Sequence, residues 1–248
     1  MFLVSTAAIG LILTLAPADA LTARAIIEKT HEAAGGAAWR RAVTNVMRGH
    51  ATLYRNGNIA ESVEADEYVM YRVYPLEVPA AHQGTGQFRL DARVKGQVLF
   101  QTSFDGERSY DQNGLVPPER AKSDEANAFG YSAIRFALEP GFKLERLAND
   151  EVEGLPCYFV KVTDPSGAAT LFGIDMKEFL VRQAAWSAPK GWHHRIYTEY
   201  HRLKSGFMQP GRVRLYYNGA KEVDIRWTSA AIGEPILPET FVLGRKTP

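Results

Sequence analysis

Hydrophobic and polar positions change period along this chain, and each change predicts a different element. From 22 to 34, Ala23, Ile26, Ile27, Thr30 and Ala33/Ala34 recur at three- and four-residue spacing, while Arg24, Glu28, Lys29 and Glu32 take the other side. This predicts an amphipathic helix, and Gly35-Gly36 ends it, because glycine accepts the left-handed conformation that closes a helix. One short further turn follows at 37–42, and then the period becomes two. Strands are predicted at 47–53 and from 63 to 74 around Asn56-Gly57, a strong hairpin signal. Residues 88–94 lead through Lys95-Gly96 into 98–102, and Asp105-Gly106 precedes a short return through Tyr110. Later strands are predicted at 158–162, 169–174, 179–181, 196–200, 213–217 and 223–227, the last two joined by Asn218-Gly219. Strict alternation gives a sheet one apolar and one wet face, as in an antiparallel sheet whose apolar side curls around something. Helical spacing returns from 123 to 139, with Phe129, Ala133, Phe136 and Ala137 on one side and Pro140-Gly141 closing it. Such a helix is placed to cover the apolar face. The fold class expected is mainly β (α+β).

The first twenty residues stand apart. Residues 7–15 are apolar, too short a run to span a bilayer, and lead through Pro17 to Ala18-Asp19-Ala20. That order predicts a secretory signal over 1–20 with cleavage after Ala20, although no Lys or Arg precedes the apolar run. The expectation is therefore an exported, soluble chain without a membrane span, its residues 21–248 forming one domain. The single cysteine, Cys157, excludes a disulfide scaffold and is expected as a small apolar residue at a strand start.

Charge removes one class of partner. With 29 Lys+Arg against 28 Asp+Glu, the chain lacks the field that gathers phosphates, so nucleic acid is not expected as a partner. Enzyme signatures are absent too: there is no G-x-S-x-G, H-E-x-x-H, P-loop or CxxC, and Gly84-Thr85-Gly86 neither follows an apolar strand nor opens a helix. His193, Glu199 and His201 share parity on one strand-like run, but the end residues lie about 26 Å apart if it is extended. They are expected on a solvated strand face opposite Ile196, Thr198 and Tyr200. Asp164, Asp175 and Asp150/Glu151 sit at turn signals, where carboxylates cap backbone N–H groups. Arg48, Arg72, Arg89, Arg93, Arg212 and Arg214 alternate with apolar residues and suit the wet side of the sheet. One turned inward would hold a ligand headgroup or a lid, and the sequence does not say which. No metal or cofactor is expected.

The aromatics carry more information. Many of the 12 Phe, 11 Tyr and 4 Trp fall on the apolar parity of predicted strands. A strongly curved sheet with one or two helices across its mouth encloses more apolar wall than those helices fill, which makes room for a lipid-sized ligand.

The order of parts, with the phrases Ala25-Ile26-Ile27-Glu28-Lys29 to Gly35-Gly36, Phe104-Asp105-Gly106, Glu153-Gly154-Leu155-Pro156-Cys157-Tyr158 with Val160 to Pro165, and Ile174-Asp175 before Leu180-Val181, resembles the outer-membrane lipoprotein-sorting family (LolA/LolB-like). The likeness covers most of residues 21–243. It implies an unclosed half-barrel with an N-terminal and a mid-chain helix over the concave face, and a periplasmic carrier that does no chemistry. Its cargo would be a lipid or the acyl chains of a lipoprotein, exchanged with donor or acceptor proteins of the inner or outer membrane. Pro75 is separated from Phe88-Arg89 by a longer loop than the family's, so the arginine that would latch a lid is left open. On this reading Phe88, Leu90, Phe100, Tyr158 and Val160 line the concave wall with Leu215, Ile225 and Trp227, while Phe129, Ala133 and Phe136 form the lid. The alternative is an envelope interaction or sensor protein with a filled half-barrel and an exposed aromatic patch around Trp186 and Trp192. A hydrolase is the less favoured third reading.

Overall fold

The structure is a computed structural model that describes residues 21–55, 57–75, 86–121 and 132–244. The expected signal, Asn56, most of the 75–86 loop and Phe129 lie outside the described residues. Helix α1 (Ala23–Ala33) begins at Thr22, whose hydroxyl accepts the Ala25 N–H at 3.2 Å, and it ends at Gly35 and Gly36, both at positive φ. A single turn, α2 (Ala37–Arg40), buries Trp39.

Six strands then run as a meander: β1 (Thr44–Arg55), β2 (Asn58–Val73), β3 (Gln87–Val94), β4 (Gln97–Phe104), β5 (Ser109–Asp111) and β6 (Gly114–Leu115). After α3 (Ala133–Phe136) come β7 (Lys143–Arg146), β8 (Asp150–Val152), β9 (Leu155–Thr163), β10 (Ala169–Asp175) and β11 (Val181–Ala188). The chain continues through β12 (Gly191–Arg202), β13 (Met208–Tyr217) and β14 (Ala220–Ile232). Among the described residues the strands make one antiparallel sheet, ordered β6-β5-β4-β3-β2-β1-β14-β13-β12-β11-β10-β9-β7, with β8 also on β9. The expected mainly β fold is present: the sheet is large, antiparallel and unclosed, a half-barrel.

Turn chemistry explains much of this order. Lys95-Gly96, Glu153-Gly154 and Asn218-Gly219 each have positive φ at both residues, the geometry that matches the twist of adjoining strands in tight hairpins. Asp105, Asp164 and Asp175 turn the chain by accepting N–H groups two to four residues onward, as expected for the last two. Other boundaries differ from the expectation. The predicted 179–181 strand is instead β11, which runs on through Ala184, Ala185 and Trp186. The segment 187–191 is mostly strand end and hairpin, and Trp186 is fully buried while Trp192 is exposed. No patch joins these two indoles.

The two meanders meet where β1 pairs with β14, Asn45 opposite Ile232 and Leu53 opposite Val223. The register shifts between Arg48 and Gly49 there, and a Cβ on Gly49 would collide with the Arg226 carbonyl of β14. A side chain at 49 therefore pushes the seam apart. Gly49→Ala is expected to lower unfolding stability by about 3 kcal/mol, the scale of overpacking a tight site, measured as a shift in urea midpoint.

Candidate functional site: a cavity in the concave face

The helices cover only part of the concave face. Ile26 and Ile27 of α1 and Ile134 of α3 are fully buried in one cluster with Val160, Val162, Phe172 and Ile174 of β9 and β10. His31 ties α1 to α3, its Nε2 lying 2.6 Å from the Ile134 carbonyl. Over β1–β4 and β12–β14 no such cover is present among the described residues, and a cavity of about 520 Å³ opens there. That volume lies within the range of about 300–1,000 Å³ common for small-molecule sites.

Cross-strand rungs build the walls. Met47, Met70, Leu90 and Thr102 follow one another across β1 to β4, and Asn45, Arg72 and Phe88 make the next rung. Across β12 to β14 the rungs are Tyr197–Val213–Ile225 and Arg195–Leu215–Val223. Tyr68 and Trp227 close the floor with their rings 5.7 Å apart. Of the residues placed at the wall from sequence, Phe88, Leu90, Leu215, Ile225 and Trp227 line this cavity. The others lie elsewhere. Phe100 sits behind Tyr68, ring edge to face at 6.4 Å. Tyr158 stacks on Phe179, and Val160 is sealed beneath the helices. Both are on the concave side but in the half that α1 and α3 fill, so they are core and not cavity wall. Ala133 is buried and Phe136 half-buried in α3, neither in the lining, and Phe129 lies outside the described residues.

The polar part of the lining was not placed by the sequence reading. The charged groups among the described lining residues are Arg72, Arg135, Lys190 and Arg195. Lys190 is paired with Glu222 at 2.7 Å. Arg72 and Arg135 both lie against the Tyr74 ring, 5.2 and 4.1 Å from its centroid, and Arg135 also donates to the Trp39 carbonyl. Arg195 donates from Nε to His193 Nε2 at 2.8 Å and stands over the Trp186 indole. Burial, with the like charges of Arg195 and Arg135, pushes the Arg72 pKa down. Burial pushes Tyr197 up to about 12 and Tyr68 higher still, so both phenols stay neutral. Asn45 and Gln209 add a buried amide pair, with Asn45 Nδ2 3.4 Å from Gln209 Oε1. One signal for the arginines existed: Arg72 has the parity of Tyr68, Met70 and Tyr74, and Arg195 that of Tyr197.

His193 is the fully buried residue that orients Arg195. It sits on a rung between Trp186 and Tyr217, 4.4 Å from each ring, and burial followed by the neighbouring Arg195 charge holds its pKa near about 2. A neutral imidazole keeps a lone pair for the guanidinium. The expected solvated face is thus corrected at this end, since His193, Arg195 and Tyr197 point inward while Ile196 packs on the far side with Val152, Cys157 and Phe159. Glu199 has φ of 57°, breaks the parity and pairs with Arg226, and His201 is exposed. The three residues do not converge, and among the described residues no group of three His, Cys, Asp or Glu could hold a metal ion. Cys157 is buried, which pushes its thiol up to about 11. The remaining basic residues of the sheet are largely ion-paired on its outer face: Arg212 with Asp224, Arg214 with Glu153, and Arg89 with Asp91.

No family model matches this chain, and no curated protein matches it in sequence. Solved structures do match in fold. A LolA-superfamily protein from Nitrosomonas europaea is similar over 90% of this chain and 98% of its own, with 11% identity and a TM-score of 0.53. A DUF1329 family protein from Desulfovibrio piger is similar over 88% of this chain and 96% of its own, with 10% identity and a TM-score of 0.51. The half-barrel suggested by the sequence resemblance is therefore the fold these proteins share. Among the described residues no helix is long and apolar enough to cross a membrane.

The neutral state of His193 gives a pH dependence with a definite sign. Its folded pKa lies below the unfolded value near 6.5, so the unfolded chain binds the extra proton and stability falls as pH drops below that value. The cost approaches about 1.4 kcal/mol per pH unit for one such group. Burial lowers the His31 pKa in the same direction. His193→Gln, which keeps an acceptor for Arg195, is expected to show a smaller stability loss between pH 7 and pH 5 than the unmodified protein, measured by urea unfolding at both values.

Proposed function

We propose that this half-barrel is a periplasmic carrier or binding protein for a hydrophobic ligand, a lipid or the acyl chains of a lipoprotein, and that it does no chemistry. The observation that carries this reading is the cavity itself. Its wall is mainly Met47, Met70, Leu90, Val213, Leu215 and Ile225 with aromatic rings, and it stands on the half of the concave face that α1 and α3 leave uncovered. Transfer of apolar surface from water into such a wall is favourable in proportion to area and needs no reacting group. The leader-like residues 1–20 support export, and the fold shared with a LolA-superfamily protein supports the same compartment. Exchange of cargo calls for donor or acceptor proteins at the inner or outer membrane. Ile59, Val63, Val98 and Leu99, exposed near the β1–β2 and β3–β4 hairpin ends, supply apolar surface for such contacts.

The alternative, a filled half-barrel acting as an envelope sensor, is the less supported reading: among the described residues the concave face carries a cavity, and Trp186 is buried while Trp192 is exposed. The test is binding of a neutral naphthylamine dye to protein purified without detergent. Leu215→Asp puts a carboxylate on the wall and is expected to weaken the dye by about tenfold or more. His201→Ala and Leu155→Asp, both at exposed positions, are expected to leave binding unchanged. Dye fluorescence that does not rise with any of these proteins, the unmodified one included, would overturn the carrier reading.

A further inference from the structure

Tyr68 brings to the cavity a hydroxyl for which the surrounding wall has no acceptor. It shares the parity of Met70 and Arg72 on β2, lines the cavity with them, and is only 3% exposed. Its ring lies 5.7 Å from that of Trp227 and 6.4 Å from that of Phe100. Across the sheet it stands between Gly49 of β1 and Ala92 of β3. None of these four neighbours carries a side-chain acceptor, since an indole N–H only donates. Arg195, whose charge acts on the phenol from the opposite arm of the sheet, also only donates. Among the described residues the Tyr68 hydroxyl makes no hydrogen bond. Burial raises its pKa, so it keeps its proton throughout the neutral range and remains a donor.

Buried tyrosine hydroxyls ordinarily find an acceptor, and a donor left without one loses the hydrogen bond that it had in water. What enters the cavity can supply it. The surroundings narrow the chemistry, because Met47, Met70, Leu90, Ile225 and Trp227 make the wall beside this phenol. A ligand hydroxyl placed there would bring a proton that needs an acceptor in its turn. The unpaired Asn45 Oδ1 does not serve the same group, since Asn45 stands opposite Arg72, four residues and about 13 Å further along β2. A carbonyl oxygen accepts, brings no proton and carries no charge to be desolvated.

Resting on the reading of this cavity as a site for a hydrophobic ligand, we propose that the ligand is a neutral acyl compound, an ester or a ketone, whose carbonyl oxygen accepts the Tyr68 hydroxyl while its alkyl chain lies against the apolar wall. Tyr68 is then the specificity-determining residue, and the wall supplies most of the affinity.

The experiment titrates the unmodified protein and Tyr68→Phe, both purified without detergent, with methyl laurate, 1-tetradecanol and pentadecane by displacement of the neutral dye. Tyr68→Phe removes the hydroxyl and keeps the ring. It is expected to lower the affinity for methyl laurate relative to pentadecane by about fivefold, the scale of one neutral hydrogen bond, and to lower that for 1-tetradecanol by less. The infrared stretch of an isotope-labelled ester carbonyl is expected at lower frequency in the unmodified protein than in Tyr68→Phe. Without ligand, the urea midpoint of Tyr68→Phe is expected to equal or exceed that of the unmodified protein, because the substitution removes a donor that has no partner. A clearly lower midpoint would mean that the hydroxyl is bonded inside the protein and would overturn the proposal. An unchanged affinity ratio with an unchanged carbonyl frequency, or a loss for 1-tetradecanol as large as that for the ester, would also overturn it and leave the apolar site standing. Failure of the dye and of all three probes on the unmodified protein would remove the site itself, which is a separate and recognisable result.

Discussion

The pairing of β1 with β14 is the contact on which the rest of the molecule depends. Every other pair of sheet neighbours is near in sequence, the longest connection being 74–86 between β2 and β3, but this pair joins residues 44–55 to residues 220–232 and closes a very long loop. Loop closure of that kind grows only slowly in cost with length, and a ladder of hydrogen bonds with a buried face is enough to offset it. The seam also sets the curvature. Ala51 stands opposite Ile225 on one side and Ala65 on the other, both alanines fully buried, so the inner layer is thin at the seam. Gly49 and its register shift let the two backbones approach there without a side chain between them.

From that curvature follows an imbalance between wall and cover. Among the described residues the arms of the sheet face one another across more apolar surface than α1, α2 and α3 occupy, and those helices concentrate over β9 and β10 with Ile26, Ile27 and Ile134. What remains is a compartment bounded by β1–β4 and β12–β14, with Trp39 and Arg135 at its helical border. The rung Trp186–His193–Tyr217 marks the border on the other side. Three rings in contact there, with a hydrogen bond from Arg195 to the middle one, make a stiff partition between packed interior and open cavity.

Much of this could be read from residues in order. Gly35-Gly36, Lys95-Gly96 and Asn218-Gly219 named their turns because positive φ restricts the residue choice so strongly, and period-two alternation placed Phe88, Leu90, Leu215, Ile225 and Trp227 on the inner face. Parity reports a face and nothing about what stands over it, which is why Tyr158 and Val160, equally inward, belong to the helix-covered core. Strand β11 was hidden by its composition: Ala184 and Ala185, which face Arg195 and His194 across β12, have little strand preference by themselves. The arginines of the cavity lining were the least legible part. An arginine on the apolar parity of β2 or β12 can serve as an outward exception or an inward charge, and only the approach of the two arms, a property of the folded sheet, distinguishes them.

The unclosed sheet has two ends, and their lengths matter for the behaviour of many copies together. At one end the sheet stops at β6, two residues long, and at the other β7 and β8 follow one another along β9 with a break between them, so neither margin is a long regular strand. Exposed Lys143 and Glu145 add charge along the second margin. A half-barrel that keeps its interior accessible cannot hide its margins by joining them, and here it tapers them instead. Short, interrupted margin strands of this kind oppose the growth of strand upon strand into fibres in a concentrated solution of the protein.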